Sequence, residues 1–151
     1  MRKGCRGFTV AELVMVSALI AILAAVALPT SRFMLKRERE SELRLDLRLM
    51  RNAIDDYKRL ADQGMIQIEI GTEGYPKSLE DLVNGVSIVG QVTKRKFLRR
   101  VPIDPMTGKV EWGLRSYQDS PDSSSWGGQN VYDIYSLSVG TALDGTKYKD
   151  W

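Results

Sequence analysis

A single carboxylate, Glu12, interrupts an otherwise uncharged run of 21 residues from Phe8 to Leu28. At about 1.5 Å per residue a helix of this length spans about 30 Å, the thickness of a bilayer's hydrocarbon core. The run therefore predicts a membrane-spanning helix. A charge inside such a helix costs about 3 kcal/mol on insertion scales, so it is by default a functional residue with a partner. Alternatively, Glu12 is close enough to the helix start for its carboxylate to snorkel to the interface.

A short basic segment precedes the run and ends at Gly7. It contains no acid and three basic residues, Arg2, Lys3 and Arg6. This charge pattern predicts that the N-terminus stays in the cytoplasm and that the bulk of the chain lies outside. A secretory signal peptide is the other interpretation, because residues 25–27 have the small side chains of a cleavage site after an apolar core. Cleavage there would release a secreted binding protein.

Residues 7–13, Gly-Phe-Thr-Val-Ala-Glu-Leu, resemble the processing site of type IV pilins and, more closely, of the pseudopilins of bacterial type II secretion systems. In that family a prepilin peptidase cuts after the glycine, here Gly7, and methylates the new amine, here on Phe8. The resemblance implies that Glu12 pairs with the Phe8 amine of a neighbouring subunit and sets its register as filaments assemble. Pro29 falls where these proteins place the proline that breaks the membrane helix.

The same resemblance implies a structural role and no enzymatic activity. It implies a single-pass inner-membrane protein with a prepilin leader at residues 1–7, a transmembrane and assembly helix at 8–28 and a periplasmic domain at 29–151. Its implied partners are further copies in a homo-oligomeric helical filament, the prepilin peptidase, the inner-membrane secretion platform and minor pseudopilins. The filament would drive protein export. A subunit of a type IV pilus or of a DNA-uptake filament is the alternative.

The chain has no excess of either charge once the leader is removed. The full sequence has 22 Lys and Arg against 19 Asp and Glu, and the leader contains three of the basic residues, which leaves 19 of each. Nucleic acid is therefore not expected as a general partner, since phosphate binding needs a net basic surface. One basic segment remains at Lys94–Lys96 and Arg99–Arg100. It is either a solvated connector or a surface that binds DNA or a cargo protein.

Cys5 is the only cysteine, and the chain contains no histidine. Because Cys5 lies in the leader, the processed chain is expected to lack disulfides. The usual Ser-His-Asp, Cys-His and histidine-ligated zinc sites are unavailable, so catalysis is not expected. Many type IV pilins close their C-terminal region with a disulfide, and its absence favours the pseudopilin branch of the family.

Apolar residues recur at gaps of four and three beyond Pro29, which predicts that the helix continues from about Phe8 to Ala61 with one buried face. These residues are Leu43, Leu47, Met50, Ile54, Tyr57 and Ala61. Charged residues around positions 36–48 predict that the opposite face is solvated or paired with neighbouring subunits. Proline removes a backbone donor and crowds the preceding turn, so a bend is expected near Pro29.

The remaining sequence predicts an α+β fold of the type IV pilin kind, with the long helix packed on a small antiparallel sheet. Ser78 is expected to cap a short helix that extends through Val83, and the charge of Asp81 is expected to complement its first turn. Two strands are predicted at Val110–Tyr117 and Val131–Leu137, joined by a connection rich in Ser, Asp and Gly. A third strand is expected to include Tyr148.

The type II major pseudopilins hold calcium in a C-terminal loop, and residues 133–151 partly resemble that segment. The resemblance implies Asp144, Asp150 and backbone carbonyls as the calcium ligands. Calcium takes six to eight oxygens, usually with several carboxylates, and Lys147 lies between these two acids. The alternative is a loop closed by hydrogen bonds and by packing of Trp151.

Overall fold

A single long helix, α1 (Val10–Asp62), forms the first part of the fold. The computed structural model describes residues 7–151, without the side chains of residues 26–30. Residues 1–6 of the predicted leader and the side chain of Pro29 therefore lie outside the described part. The bounds of α1 agree with the predicted helix from about Phe8 to Ala61. The chain divides into two compact units, the first ending at Glu38 and the second running from Arg39 to Trp151.

The described apolar side chains of the first unit are exposed. Phe8 is 73% exposed, Val10 79% and Leu23 70%. Within residues 7–25 and 31–151, no helix combines the length and the hydropathy that crossing a membrane requires. The predicted span over residues 8–28 extends beyond those ranges and stays a prediction.

The core of the second unit is built on one face of α1. The predicted stripe is buried: Leu43, Met50 and Ile54 are 0% exposed and Leu47 and Ala61 only 2%. Tyr57 is half-buried against this core. The side chains that cover the stripe come from distant parts of the chain, namely Leu79, Leu82, Leu98, Trp112, Val131, Ile134, Ala142 and Tyr148. The periodicity argument is confirmed for the helix and for its buried face.

A second helix, α2 (Leu79–Asn84), begins directly after Ser78. The Asp81 side chain lies in the first turn, as predicted, and accepts a hydrogen bond from the Ser78 backbone N–H at 3.0 Å. Gly85 ends α2 with a φ of +81°, and a Cβ placed there would lie 2.7 Å from the backbone oxygen of Arg95. Both the left-handed backbone and the close approach of Arg95 require glycine at this position.

The sheet has two short antiparallel strands, β1 (Gly113–Arg115) and β2 (Asp133–Tyr135). Their register pairs Gly113 with Tyr135 and Arg115 with Asp133. The α+β class is confirmed, but both strands are shorter than predicted. Strand pairing stops after Arg115, where the Asp119 side chain accepts hydrogen bonds from the backbone N–H groups of Ser116 and Gly127, at 2.7 Å and 3.0 Å. Side-chain hydrogen bonds of this kind compete with a strand ladder for the backbone.

The predicted third strand around Tyr148 is wrong. Residues Tyr148–Asp150 form a turn of 3-10 helix, and the nearest strand-like contact is an isolated bridge between Thr141 and Lys147. The Tyr148 hydroxyl donates a hydrogen bond to the Glu40 carboxylate of α1 at 2.9 Å. This bond draws the tyrosine into the core, so the segment packs on the helix instead of extending the sheet.

Substitution of Gly85 should destabilise the second unit more than an equivalent substitution at Gly90. Both glycines have a φ of +81°, but a Cβ at Gly90 would meet nothing within 4 Å. Gly90→Ala should cost only the left-handed strain, about 1 kcal/mol, whereas Gly85→Ala adds a clash with Arg95 and should cost about 2–4 kcal/mol. Urea unfolding of the detergent-solubilised chain would measure both. Equal losses would show that the contact with Arg95 does not constrain residue 85.

Candidate functional site

The start of α1 is capped by Thr9. Its hydroxyl oxygen accepts a hydrogen bond from the Glu12 backbone N–H at 3.2 Å, and its carbonyl accepts one from the Leu13 N–H at 3.1 Å. Glu12 lies in the first turn of the helix, where a negative charge interacts favourably with the helix dipole. This cap was not predicted, although the spacing Thr-x-x-Glu of a capping box is present at residues 9–12.

The predicted cleavage site lies in exposed, non-helical backbone directly before α1. Gly7 and Phe8 are both exposed. A Cβ placed on Gly7 would meet nothing within 4 Å, and Gly7 lacks the left-handed φ of eight other glycines in the described part of the chain. The fold therefore gives no steric or backbone reason for a glycine at position 7. The bond between Gly7 and Phe8 is open to a peptidase.

The buried carboxylate of Glu40 attaches the C-terminal segment to α1. Its side chain is among the few buried charged ones in the described residues, at 8% exposure. One carboxylate oxygen, Oε1, accepts hydrogen bonds from the Tyr148 hydroxyl and from the Leu143 backbone N–H, each at 2.9 Å. Burial, and then the hydrogen bond to Glu40, raises the pKa of Tyr148 to about 12.

Arg44 lies one turn further along α1 and makes the second attachment. Its guanidinium forms an ion pair with Asp144 at 3.1 Å and lies over the Trp151 ring, 4.1 Å from the ring centroid. The other oxygen of Asp144 accepts hydrogen bonds from the Thr146 hydroxyl at 2.6 Å and from its N–H at 2.9 Å. These bonds, together with Arg44, lower the pKa of Asp144. The Trp151 indole N–H donates to the Thr146 hydroxyl at 2.6 Å.

Arg51 makes the third attachment, to the sheet and to the last residue. Its Nε donates to the Asp133 carboxylate at 2.7 Å, and its Nη2 donates to the backbone oxygens of Ile134 and Trp151 at 3.1 Å and 2.7 Å. We refer to Glu40, Arg44 and Arg51 together as the C-terminal clamp. Their spacing of four and seven residues places all three on one side of α1, beside the buried stripe.

The prediction that the charged residues around positions 36–48 face solvent or neighbouring subunits is wrong for Glu40, whereas Arg44 is exposed. Glu40 is buried, and Arg51 is partly buried against β2. A signal was available, because residues 40, 44 and 51 follow the same gaps of four and seven as the apolar residues 43, 47 and 54. Such a pattern marks charges at the edge of a buried face, although it does not name their partners.

The donor set around Asp144 and Asp150 fits calcium poorly. Asp144 already binds the Arg44 guanidinium and Thr146, and Asp150 is exposed at the end of the 3-10 turn. Within the described residues there is no group of three or more Asp, Glu, His or Cys side chains placed to hold a metal. The observed contacts are those of the alternative, a loop closed by hydrogen bonds and by Trp151. Calcium binding stays a prediction of the family resemblance.

Removal of the Glu40 carboxylate should destabilise the second unit strongly. Glu40→Ala leaves the buried Tyr148 hydroxyl and the Leu143 N–H without their acceptor, which should cost about 2–4 kcal/mol. Glu42→Ala is the matched control, because Glu42 is an exposed glutamate of the same helix and its loss should change stability by less than about 0.5 kcal/mol. Urea unfolding of the two variants would compare them. Equal losses would contradict a role for Glu40 as an attachment point.

The raised pKa of Tyr148 predicts a loss of stability in alkali. The ordinary tyrosine pKa is 10.0 and that of Tyr148 in the folded chain is about 12. The stabilisation that neutral Tyr148 gives the folded chain is therefore complete below pH 10, because the phenol is neutral in both the folded and the unfolded chain. It is lost as the pH rises through about 12, since the unfolded chain ionises first. Melting temperatures measured from pH 9 to pH 12 should fall more steeply for the natural chain than for Tyr148→Phe. Parallel curves would contradict the assignment.

Comparisons with protein-family models, with curated proteins and with solved structures find no match to this chain. What the protein does has therefore to be inferred from its own residues.

Proposed function

We propose that this protein is the structural subunit of a type II secretion pseudopilus. It is cleaved after Gly7, N-methylated on Phe8 and polymerised into a periplasmic filament that drives protein export. The observation that carries this proposal is the segment Gly-Phe-Thr-Val-Ala-Glu-Leu at residues 7–13, which leads directly into α1.

The geometry at Gly7 supports processing at this bond. A peptidase needs extended, accessible backbone, and residues 7–9 are non-helical and exposed. The neighbourhood of Gly7 would accept a Cβ without contact, so packing does not account for the glycine. Recognition by a processing enzyme that accepts only a small residue there does account for it.

The charge on Glu12 supports assembly through the new N-terminus. Cleavage creates an amine on Phe8, which is the natural partner for a carboxylate in an apolar surrounding. Within one subunit, Thr9 accepts the hydrogen bond from the Glu12 backbone N–H, which holds the first turn in helical form. The side chain of Glu12 is exposed, so its carboxylate is available to a neighbouring copy.

The exposed apolar surface of the first unit supports the same function. Described apolar side chains between Phe8 and Leu23 are 44–79% exposed, and such a surface is covered by lipid or by other proteins. Lipid covers it before assembly, and the helices of neighbouring subunits cover it in the filament. The passage from one environment to the other needs external work, which a cytoplasmic ATPase supplies through the secretion platform.

The α+β architecture of the second unit is compatible with a pilin-like domain. A small antiparallel sheet, β1 and β2, lies in the same unit as the buried stripe of α1, and Ile134 of β2 belongs to the shared core. The protein then works mechanically, as a building block, and other components perform the chemistry of cleavage and ATP hydrolysis.

The Glu12 side chain provides the sharpest test. Glu12→Gln retains the shape and can still serve a capping box, which accepts Glu or Gln at this position, but it loses the charge. The variant should be inserted and processed normally, and its filament yield should fall at least about tenfold, as expected for loss of a buried charge pair. Filaments sheared from cells and quantified by immunoblot would measure this. Thr9→Ala, which removes the cap and keeps the charge, is the control and should still assemble.

The mature N-terminus should be determined by mass spectrometry in the same preparations. A chain that begins at N-methylated Phe8 is expected for the natural protein and for Glu12→Gln. A chain that begins at Leu28 would identify a secretory signal peptide and overturn the proposal. Normal filaments from Glu12→Gln would refute the pairing of Glu12 with the Phe8 amine.

A further inference from the structure

Three tyrosine rings form one cluster on the surface of the second unit. The ring centroids of Tyr117 and Tyr132 lie 5.4 Å apart, and that of Tyr75 lies 5.9 Å from Tyr117 and 5.2 Å from Tyr132. Two of these contacts are edge-to-face and one is stacked, which are arrangements that aromatic pairs prefer. Packing against the core accounts for the partly buried Tyr75. It does not account for the other two rings, because Tyr117 is 59% exposed and Tyr132 47%.

The other three tyrosines of the chain have no tyrosine ring beside them. Tyr57 and Tyr148 each contact an aromatic ring of another kind, and Tyr135 has an arginine over its ring. All six tyrosines lie in the part of the chain that the structure describes. The cluster is therefore the one place within residues 7–151 where two phenol rings are in contact.

Tyr117 and Tyr132 lie at the two ends of the connection between β1 and β2. Tyr117 follows β1 by two residues, and Tyr132 directly precedes β2. The Tyr117 N–H donates to the side-chain oxygen of Asn130 at 2.9 Å, and the Tyr132 N–H donates to the Arg115 carbonyl at 2.8 Å. Asn130 is fully buried, so the backbone on each side of the ring pair is held in place.

A covalent bond between these two rings would close the connection in the way that a disulfide closes a loop. Residues 118–131 contain no helix or strand, so backbone pairing does not restrain them along their length. The chain has a single cysteine, Cys5, and therefore cannot form a disulfide within itself. A cross-link stabilises a fold mainly by restricting the unfolded chain, and the ring pair is positioned to provide one.

Two phenols couple when each loses one electron and one proton. The unpaired electron of the resulting phenoxyl radical is shared with the Cε carbons beside the hydroxyl-bearing carbon. Two radicals join through a new Cε–Cε bond, and the hydrogen on each joined carbon then moves to the oxygen of its own ring. Hydrogen peroxide, acting through a haem peroxidase, is the oxidant, and it takes up the two electrons and two protons to leave as two waters. The product has two hydrogen atoms fewer than the starting chain.

Tyr75 is the less suitable partner in this reaction. The Lys58 ammonium lies 5.4 Å from the centroid of its ring, and a nearby positive charge opposes the removal of an electron. Burial, and then the neighbouring Tyr132, raises the pKa of the Tyr75 hydroxyl, which opposes the loss of its proton. The two more exposed rings of the cluster are those of Tyr117 and Tyr132, and a dissolved oxidant reaches them first.

We propose that Tyr117 and Tyr132 form a site of oxidative modification, at which peroxide joins the two rings into a dityrosine that closes the connection between β1 and β2. The modified pair lies within one chain. This inference goes beyond the proposed filament function and does not depend on it, because it is argued from side chains of the second unit alone.

Oxidation of the full-length chain in detergent, with hydrogen peroxide and a haem peroxidase, tests the site. The monomer should acquire dityrosine fluorescence and lose the mass of two hydrogen atoms. Tyr117→Phe and Tyr132→Phe keep the packed rings and remove the phenol, and each should abolish this product. Tyr57→Phe and Tyr75→Phe are the matched controls and should leave its yield unchanged. Undiminished product from Tyr117→Phe, or cross-links found only in dimers, would overturn the proposal.

Peptide mapping of the oxidised monomer locates the bond. Trypsin leaves both tyrosines in the peptide 116–147, which contains no methionine whose oxidation would alter its mass. Cleavage before aspartates then separates residues 116–118 from residues 122–132, and these two fragments should be recovered joined. Either fragment joined instead to the one that contains Tyr75 would show that the wrong pair has been assigned.

The stability of the oxidised chain tests the consequence of the bond. Oxidation should shift the urea midpoint of the natural chain upward, because the closed connection restricts the unfolded state. The midpoint of Tyr117→Phe, treated in the same way, should not rise. Equal changes in the two chains would contradict a stabilising cross-link. Cleavage at Gly7 and filament yield are measured separately, so failure of the proposed function would leave these results unaffected.

Discussion

The burial of one face of α1 is the constraint on which the second unit depends. A helix gains most of its stability from packing and little from propensity, and the stripe from Leu43 to Ala61 is covered by side chains from six separate stretches of the chain. The two strands are short, so backbone pairing alone does not keep these side chains packed on the helix. The C-terminal clamp supplies the missing attachment, because Glu40, Arg44 and Arg51 bind the last part of the chain directly to the helix.

The opposite face of the same helix segment has no such cover. Leu45 and Leu49 stay exposed, and the carboxylates of Glu42 and Asp46 have no cation partner among the described residues. One helix thus presents a completed face and an incomplete one.

Periodicity and local spacing predicted the elements whose causes are local. The buried stripe of α1, the cap formed by Ser78 and Asp81 and the α+β class were confirmed, because helical spacing and capping need only neighbouring residues. The strands were predicted too long and a third strand was predicted at Tyr148. Those errors have a common origin, since the side chains of Asp119 and Glu40 accept hydrogen bonds from the backbone N–H groups of Ser116 and Leu143, which are then not used in a strand ladder. The residues proposed for processing and assembly, at positions 7–12, are contiguous and could be named from the sequence, whereas the partners of the C-terminal clamp could not.

The sequence by itself determined the segment at residues 7–13 that resembles a prepilin processing site, the absence of histidine, the position of the only cysteine at Cys5 and the face of α1 that is buried. Only the tertiary structure decided which charged residues of α1 turn inward. Glu40 and Tyr148 are 108 residues apart, and Arg51 and Asp133 are 82 apart. A pairing over that distance depends on how the intervening chain folds. Helical spacing can show that a charge borders the core, but the three-dimensional packing alone selects its partner.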